Sequence, residues 1–162
     1  MWHFQIVLSK SIIELKTELN YINFSYQTNS LQEYNISLSY QLFGKDLFSA
    51  PIILVNHALT GNSEVSGKNG WWKNLIGENQ AIDTNKYTVI CFNIPGNGYD
   101  GFFIERYEDF TPSDIANIFL KGLEILKINS LHTIIGGSLG GGIGWEMLVK
   151  NPQLAKVFIP IA

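Results

Sequence analysis

The sequence predicts an α/β domain built on a mostly parallel sheet that the chain enters through antiparallel strands. Three observations carry this. Four compact β-branched runs, "PIILVNHAL" (51–59), "KYTVICFNIP" (86–95), "LHTIIGGS" (131–138) and "KVFIPIA" (156–162), read as strands buried on both faces. Helical patterns separate the later runs, and strand–helix alternation implies a parallel sheet with right-handed crossovers. The first 45 residues instead partly alternate apolar and polar positions, as half-buried strands do.

The elements follow in order. "LNYINFSYQTN" (19–29) and "YNISLSYQLFG" (34–44) are expected to form an antiparallel pair across turn-forming residues. The first two core runs are joined by "SGKNGWWKNLIGENQAIDTN" (66–85), where a short helix and a loop are expected. "TPSDIANIFLKGLEILKIN" (111–129) reads as a helix. Thr111, Pro112, Ser113 and Asp114 form its capped start, and Ile115, Ile118, Phe119, Gly122, Leu123 and Leu126 mark one buried face. A second helix is expected from Leu139 to Lys150, ending before Pro152, which cannot continue it.

Composition narrows the function. The 162 residues suffice for one modest domain with a real core, and 46% hydrophobic against 15% charged residues is a globular mix. A formal net charge of −3 gives no basic footprint for nucleic acid. The single cysteine, Cys91, excludes an intrachain disulfide and suits a reducing compartment; within "YTVICFNI" it reads as a buried small hydrophobe. "MWHFQIVLSKSIIELK" lacks the basic start and cleavage site of a signal peptide, and no run reaches the roughly 20 apolar residues of a membrane span. A cytoplasmic protein without membrane contact is expected.

The chemistry concentrates in "HTIIGGSLGGGIGWEM" (132–147). Gly136-Gly137-Ser138-Leu139-Gly140 fits G-x-S-x-G, with a strand before it and a helix after it, the setting of a nucleophile elbow. Such a turn aims the serine oxygen out of the sheet. Gly136 and Gly140 leave no Cβ where strand and helix approach, and Gly141 and Gly142 are expected to let the helix sit close to its neighbours. The helix start offers unpaired N–H groups to a developing oxyanion. A second donor belongs after an earlier strand, and "ILVNHALTGNS" supplies the Leu59 N–H, or a neighbour's, to join that of Leu139.

His57 lies in that loop, but in this architecture the base follows the serine in chain order, so His57 is read as shaping the loop. His132 and His3 are poorly placed for catalysis. Gly96, Gly98 and Gly101 spell G-x-G-x-x-G, yet Pro95 intervenes and no clean helix start follows. A glycine-rich loop beside the active site is the better reading than a dinucleotide site. There is no P-loop, and neither a metal nor a bound cofactor is expected.

Three stretches, "NHALTGNS", "GWWKNLIGENQAIDTNKYTVICFN" and "FTPSDIANIFLKGLEILKINSLHTIIGGSLGGGIGWEM", together resemble homoserine O-acetyltransferase, an α/β-hydrolase-fold acyltransferase of methionine biosynthesis. The resemblance runs over roughly residues 30–162. It implies that Ser138 is the acylated nucleophile, that the Leu59 and Leu139 N–H groups form the oxyanion hole, and that Gly70 to Trp72 match a family signature. It also implies acetyl-CoA and L-homoserine as substrates and a homodimer. Leu139 stands where the family usually has methionine, a change a backbone donor tolerates. "NIPGNGYDG" replaces the family's cysteine- and threonine-containing loop, which leaves succinyl-CoA as donor or serine as acceptor open. The family's lid, catalytic aspartate and histidine, and substrate-binding arginine come later in the chain. Residues 1–162 are accordingly read as the N-terminal part of a single domain, with antiparallel strands over 1–45 and the parallel core over 51–162, and as inactive alone. The competing readings are a serine esterase or other hydrolase of the same fold and a non-catalytic fragment or binding module.

Overall fold

The computed structural model describes residues 18–162; His3 lies outside them. Strands β1 (Asn20–Gln27) and β2 (Glu33–Gly44) form the expected antiparallel pair. Their register sets Ile22 opposite Leu38 and Phe24 opposite Ile36, so one face of the hairpin turns apolar side chains to the core. Strand β3 (Ile52–Asn56) follows, then the short parallel pair β4 (Ile76–Gly77) and β5 (Ile82–Asp83), then strand β6 (Thr88–Phe92). Helix α1 (Pro112–Ile125), strand β7 (Leu131–Gly137), helix α2 (Leu139–Lys150) and strand β8 (Ala155–Ile161) complete the chain.

The main sheet has the order β1-β2-β6-β3-β7-β8. β1, β2 and β6 are joined antiparallel, and β6, β3, β7 and β8 run parallel. The mostly parallel sheet with an antiparallel entry is thus observed. All five residues of β3 and of β6 are buried, as expected of strands covered on both faces. Side chains alternate between two apolar clusters. Ile52, Leu54, Ile90, Phe92 and Ile134 face α1 and α2. Ile53, Val55, Val89, Cys91 and Ile135 face the opposite way, under Val65, Ile76 and Ile82. Cys91 is fully buried, and burial pushes its thiol well above its ordinary range, so it packs as a hydrophobe.

Helix α1 begins as its sequence foretells. Thr111 and Asp114 form a reciprocal capping box with Pro112 at the first helical position. The Asp114 carboxylate also ties the helix to the sheet. Oδ2 accepts from the Thr111 N–H (2.9 Å) and hydroxyl (2.6 Å), and Oδ1 accepts from the Tyr26 hydroxyl (2.9 Å) and the Asn29 N–H (2.8 Å). Every donor it meets is satisfied, as burial of a carboxylate demands.

Strand β8, expected to be buried on both faces, is exposed or half-buried along its length, because it pairs only with β7 at the edge of the described sheet. Two further expectations need correction. Residues 66–85 contain no helix. One turn closes where the Trp72 carbonyl accepts from Leu75 and Ile76, but the chain then diverges and Ile76 pairs with Ile82. Burial decides this: Ile76 and Ile82 both enter the cluster beneath the sheet, which a continued helix would prevent. The other correction concerns Gly142, which faces open space; Gly144, against the Phe158 ring, is where α2 approaches β8 closely. Among the described residues no helix is long and apolar enough to cross a membrane, and no His, Cys, Asp or Glu cluster could hold a metal ion.

Candidate active site

β7 ends at Gly137 and α2 begins at Leu139. The residue between them, Ser138, has φ 51° and ψ −121°, a conformation that glycine favours and side chains resist. Such a residue costs on the order of 1–3 kcal/mol and persists only where its surroundings dictate it. Here the Ser138 N–H donates to the Ile161 carbonyl (2.7 Å), and its carbonyl accepts from Gly141 (2.9 Å) and Gly142 (3.2 Å). The side chain is exposed and makes no hydrogen bond among the described residues.

The two motif glycines have separate steric duties. A Cβ on Gly136 would overlap the Gly140 carbonyl, and a Cβ on Gly140 would overlap the Asn56 carbonyl and lie 2.7 Å from the His57 oxygen. The first turn of α2 therefore rests on the end of β3 and on the loop that leaves it. This contact sets the start of the 57–61 loop against the first turn of α2. Neither the Leu59 nor the Leu139 N–H donates to any group among the described residues. Two backbone donors without a partner among the described residues thus lie one at the start of α2, where positive potential is available, and one in the loop that follows the β3 contact.

His57 is completely buried. Its Nδ1 donates to the Ala58 carbonyl (2.7 Å) and its Nε2 accepts from the Ile94 N–H (3.0 Å). Burial lowers its pKa to about 4, so it is neutral near pH 7. Both nitrogens are engaged away from Ser138, which agrees with a loop-shaping role. His132 is the second residue of β7, six residues before Ser138, where its Nδ1 meets the Thr133 hydroxyl (2.8 Å) and its ring meets Tyr87. At about 3.3 Å per strand residue it sits at the opposite end of β7 from Ser138.

A buried polar network, not expected from the sequence, supports the loops around the site. Asn93 follows β6; its Oδ1 accepts from the Ser63 N–H (2.8 Å), and its Nδ2 donates to the hydroxyls of Ser39 (2.9 Å) and Ser63 (3.0 Å). Ser63 in turn donates to Gln41 (2.6 Å), and Ser39 to Asp100. Asn97 reaches the Gly61 carbonyl at 3.4 Å. The only sequence signal was a polar residue closing an apolar run, as Asn93 does in "CFN" and Asn56 in "LVN". Gly96, Gly98 and Gly101 all have positive φ, and the first α-helix among the described residues begins only at Pro112, so none starts at this glycine loop. Of the "GWW" signature, Trp71 and Trp72 pack with ring centroids 4.5 Å apart, and Trp72 lies 3.8 Å from where a Gly137 Cβ would be. A groove of about 850 Å³ lined by Phe43, Gly44, Ser66, Gly77 and Gln80 includes none of Ser138, Leu59 and Leu139.

Residues 51–159 match the family model described as alpha/beta hydrolase fold. Curated relatives include homoserine O-acetyltransferase of Pelagibacter ubique, 34% identical in a 147-position alignment that covers 79% of this chain and 40% of the relative. That of Methanobrevibacter ruminantium is 33% identical over 75% of this chain and 29% of its own length. The chain therefore spans less than half the length of these relatives. Among solved structures, homoserine O-acetyltransferase from Bacillus anthracis superposes with a TM-score of 0.79 at 25% identity, covering 88% of this chain and 46% of that one. Esterase E22 superposes with a TM-score of 0.77 at 24% identity over the same shares, a likeness of fold.

Proposed function

The chain belongs to the alpha/beta hydrolase fold family, and from that premise we propose that it carries the nucleophile and oxyanion donors of a homoserine O-acetyltransferase. The observation that carries the reading is Ser138, held at φ 51° between β7 and α2 with its hydroxyl exposed. Its support is the run of relatives of that name, each matched over only part of its length.

In this reading the Ser138 hydroxyl attacks the thioester carbonyl of acetyl-CoA and gives its proton to a base. The Leu59 and Leu139 N–H groups receive the oxyanion. Collapse of the tetrahedral species breaks the carbon–sulfur bond, and coenzyme A leaves as the thiol after taking a proton. The homoserine hydroxyl then attacks the acetyl-serine, loses its proton to the base, and frees Ser138. A serine hydroxyl is almost wholly protonated at neutral pH, and among the described residues no histidine bonds to it. The base is therefore assigned to a part of the protein outside them.

The test is mass spectrometry of the whole protein after mixing with acetyl-CoA, with and without L-homoserine. An acetyl adduct on Ser138 that homoserine discharges as O-acetylhomoserine supports the proposal. Discharge mainly to free acetate supports the esterase reading, which the esterase-like fold and the exposure of Ser138 to water favour. An unmodified Ser138 overturns both.

A further inference from the structure

His57 is polar, completely buried, and unused by the acyl-transfer steps above. Its two hydrogen bonds admit only one arrangement of the ring. The Ala58 carbonyl can only accept, so Nδ1 at 2.7 Å carries the proton. The Ile94 N–H can only donate, so Nε2 at 3.0 Å carries the lone pair. The Ile94 amide thus selects the tautomer that grips Ala58. The same carbonyl accepts from the Gly61 N–H at 2.9 Å.

The Ala58 carbonyl and the Leu59 N–H belong to one peptide unit. That unit is planar and trans, as are all the others described, so its C=O and N–H point in opposite directions. Holding the carbonyl on His57 and Gly61 turns the Leu59 N–H away from the imidazole. That N–H meets no acceptor among the described residues. The backbone of Asn56 and His57 also bears on Gly140, one residue past Leu139, so one rigid contact sets the spacing of the two free donors.

We propose that His57 is a positioning residue that clamps the Ala58–Leu59 peptide so that the Leu59 N–H, together with that of Leu139, faces the oxyanion formed at Ser138. The proposal rests on the reading of Ser138 as the acyl acceptor. A donor aimed in advance needs no reorganisation as charge develops, which is the source of its effect on rate.

The experiment compares His57→Asn and His57→Gln in the whole protein. The Asn amide nitrogen falls near the position of Nδ1 and can still donate to Ala58. The Gln amide falls near Nε2 and can still accept from Ile94, but it leaves Ala58 without the side-chain bond. Acyl-enzyme formation is followed as the burst of p-nitrophenol from p-nitrophenyl acetate, and KM and kcat for acetyl transfer are measured beside it. Expected is a loss of about 10²-fold in burst rate and kcat for His57→Gln with KM little changed, as for loss of one oxyanion donor, and a much smaller loss for His57→Asn. Equal losses in both variants, or losses confined to KM, would overturn the proposal.

Nitrogen NMR of the wild-type imidazole supplies a readout that needs neither activity nor a folded variant. A protonated Nδ1 and a bare, hydrogen-bonded Nε2 from pH 6 to 8 are expected. The Nε2–H tautomer, or titration near the ordinary value, would refute the clamp. Unlabelled Ser138 alongside the expected tautomer would instead reject the acyl-serine reading while leaving the loop geometry standing.

Discussion

The α-carbon of Gly140 packs directly on the carbonyl of Asn56, so closely that a Cβ would overlap that carbonyl and sit 2.7 Å from the His57 oxygen. Backbone meets backbone here, and neither side can move aside as a flexible side chain would. Gly140→Ala is expected to lower stability by about 3 kcal/mol, the upper range for forced overpacking. Gly142→Ala is the control. It meets nothing within 4 Å on the exposed side of α2 and should gain about 0.5–1 kcal/mol from helix propensity. Urea denaturation of the two variants checks the contrast.

Ser138 occupies a backbone conformation suited to glycine. Ser138→Gly is expected to raise stability by about 1 kcal/mol while abolishing acetylation by acetyl-CoA. Ser138→Ala should abolish acetylation without that gain, since alanine keeps the Cβ strain. Melting temperature and adduct mass, read on the same samples, test both halves.

Asp114 gives the fold an acid limit. Burial raises its carboxyl, but hydrogen bonds from Thr111, Asn29 and Tyr26 outweigh this and hold it below its ordinary 3.8. A depressed folded pKa contributes stability that is present above the unfolded pKa and is lost as pH falls through the folded one. Asp114→Asn should therefore cost about 1–2 kcal/mol at pH 7, a cap-sized loss, and progressively less below pH 4. Denaturation midpoints of wild type and variant from pH 7 to pH 3 should converge; a constant gap would reject the assignment.

Asn93 joins the loop after β6 to the Ser63 backbone and to the Ser39 and Ser63 hydroxyls. Asn93→Ala leaves the buried Ser63 N–H without its acceptor and is expected to cost about 2–4 kcal/mol, one to two orphaned polar groups. Hydrogen exchange should show the Ser63 amide losing protection first, with the β3 amides unchanged. Uniform loss across the sheet would mean that the network has no local role.

The sequence determined the elements whose signals are local. β-branched runs marked the core strands, Thr111, Pro112 and Asp114 fixed the start of α1, and Gly136 and Gly140 around Ser138 marked the turn into α2. Each works over a few residues through backbone sterics or capping, so order along the chain suffices to read it. Tertiary structure alone decided the rest. The 66–85 stretch carries a helix-compatible pattern, yet Ile76 and Ile82 are drawn into a pair because both are buried beneath strands distant in sequence. Likewise nothing local tells that His57 binds the Ile94 N–H, that Asn93 gathers Ser39 and Ser63, or that Gly140 lies on Asn56. Those contacts exist because β6, β3 and β7 are neighbours in the sheet, an order set by where each strand buries its faces.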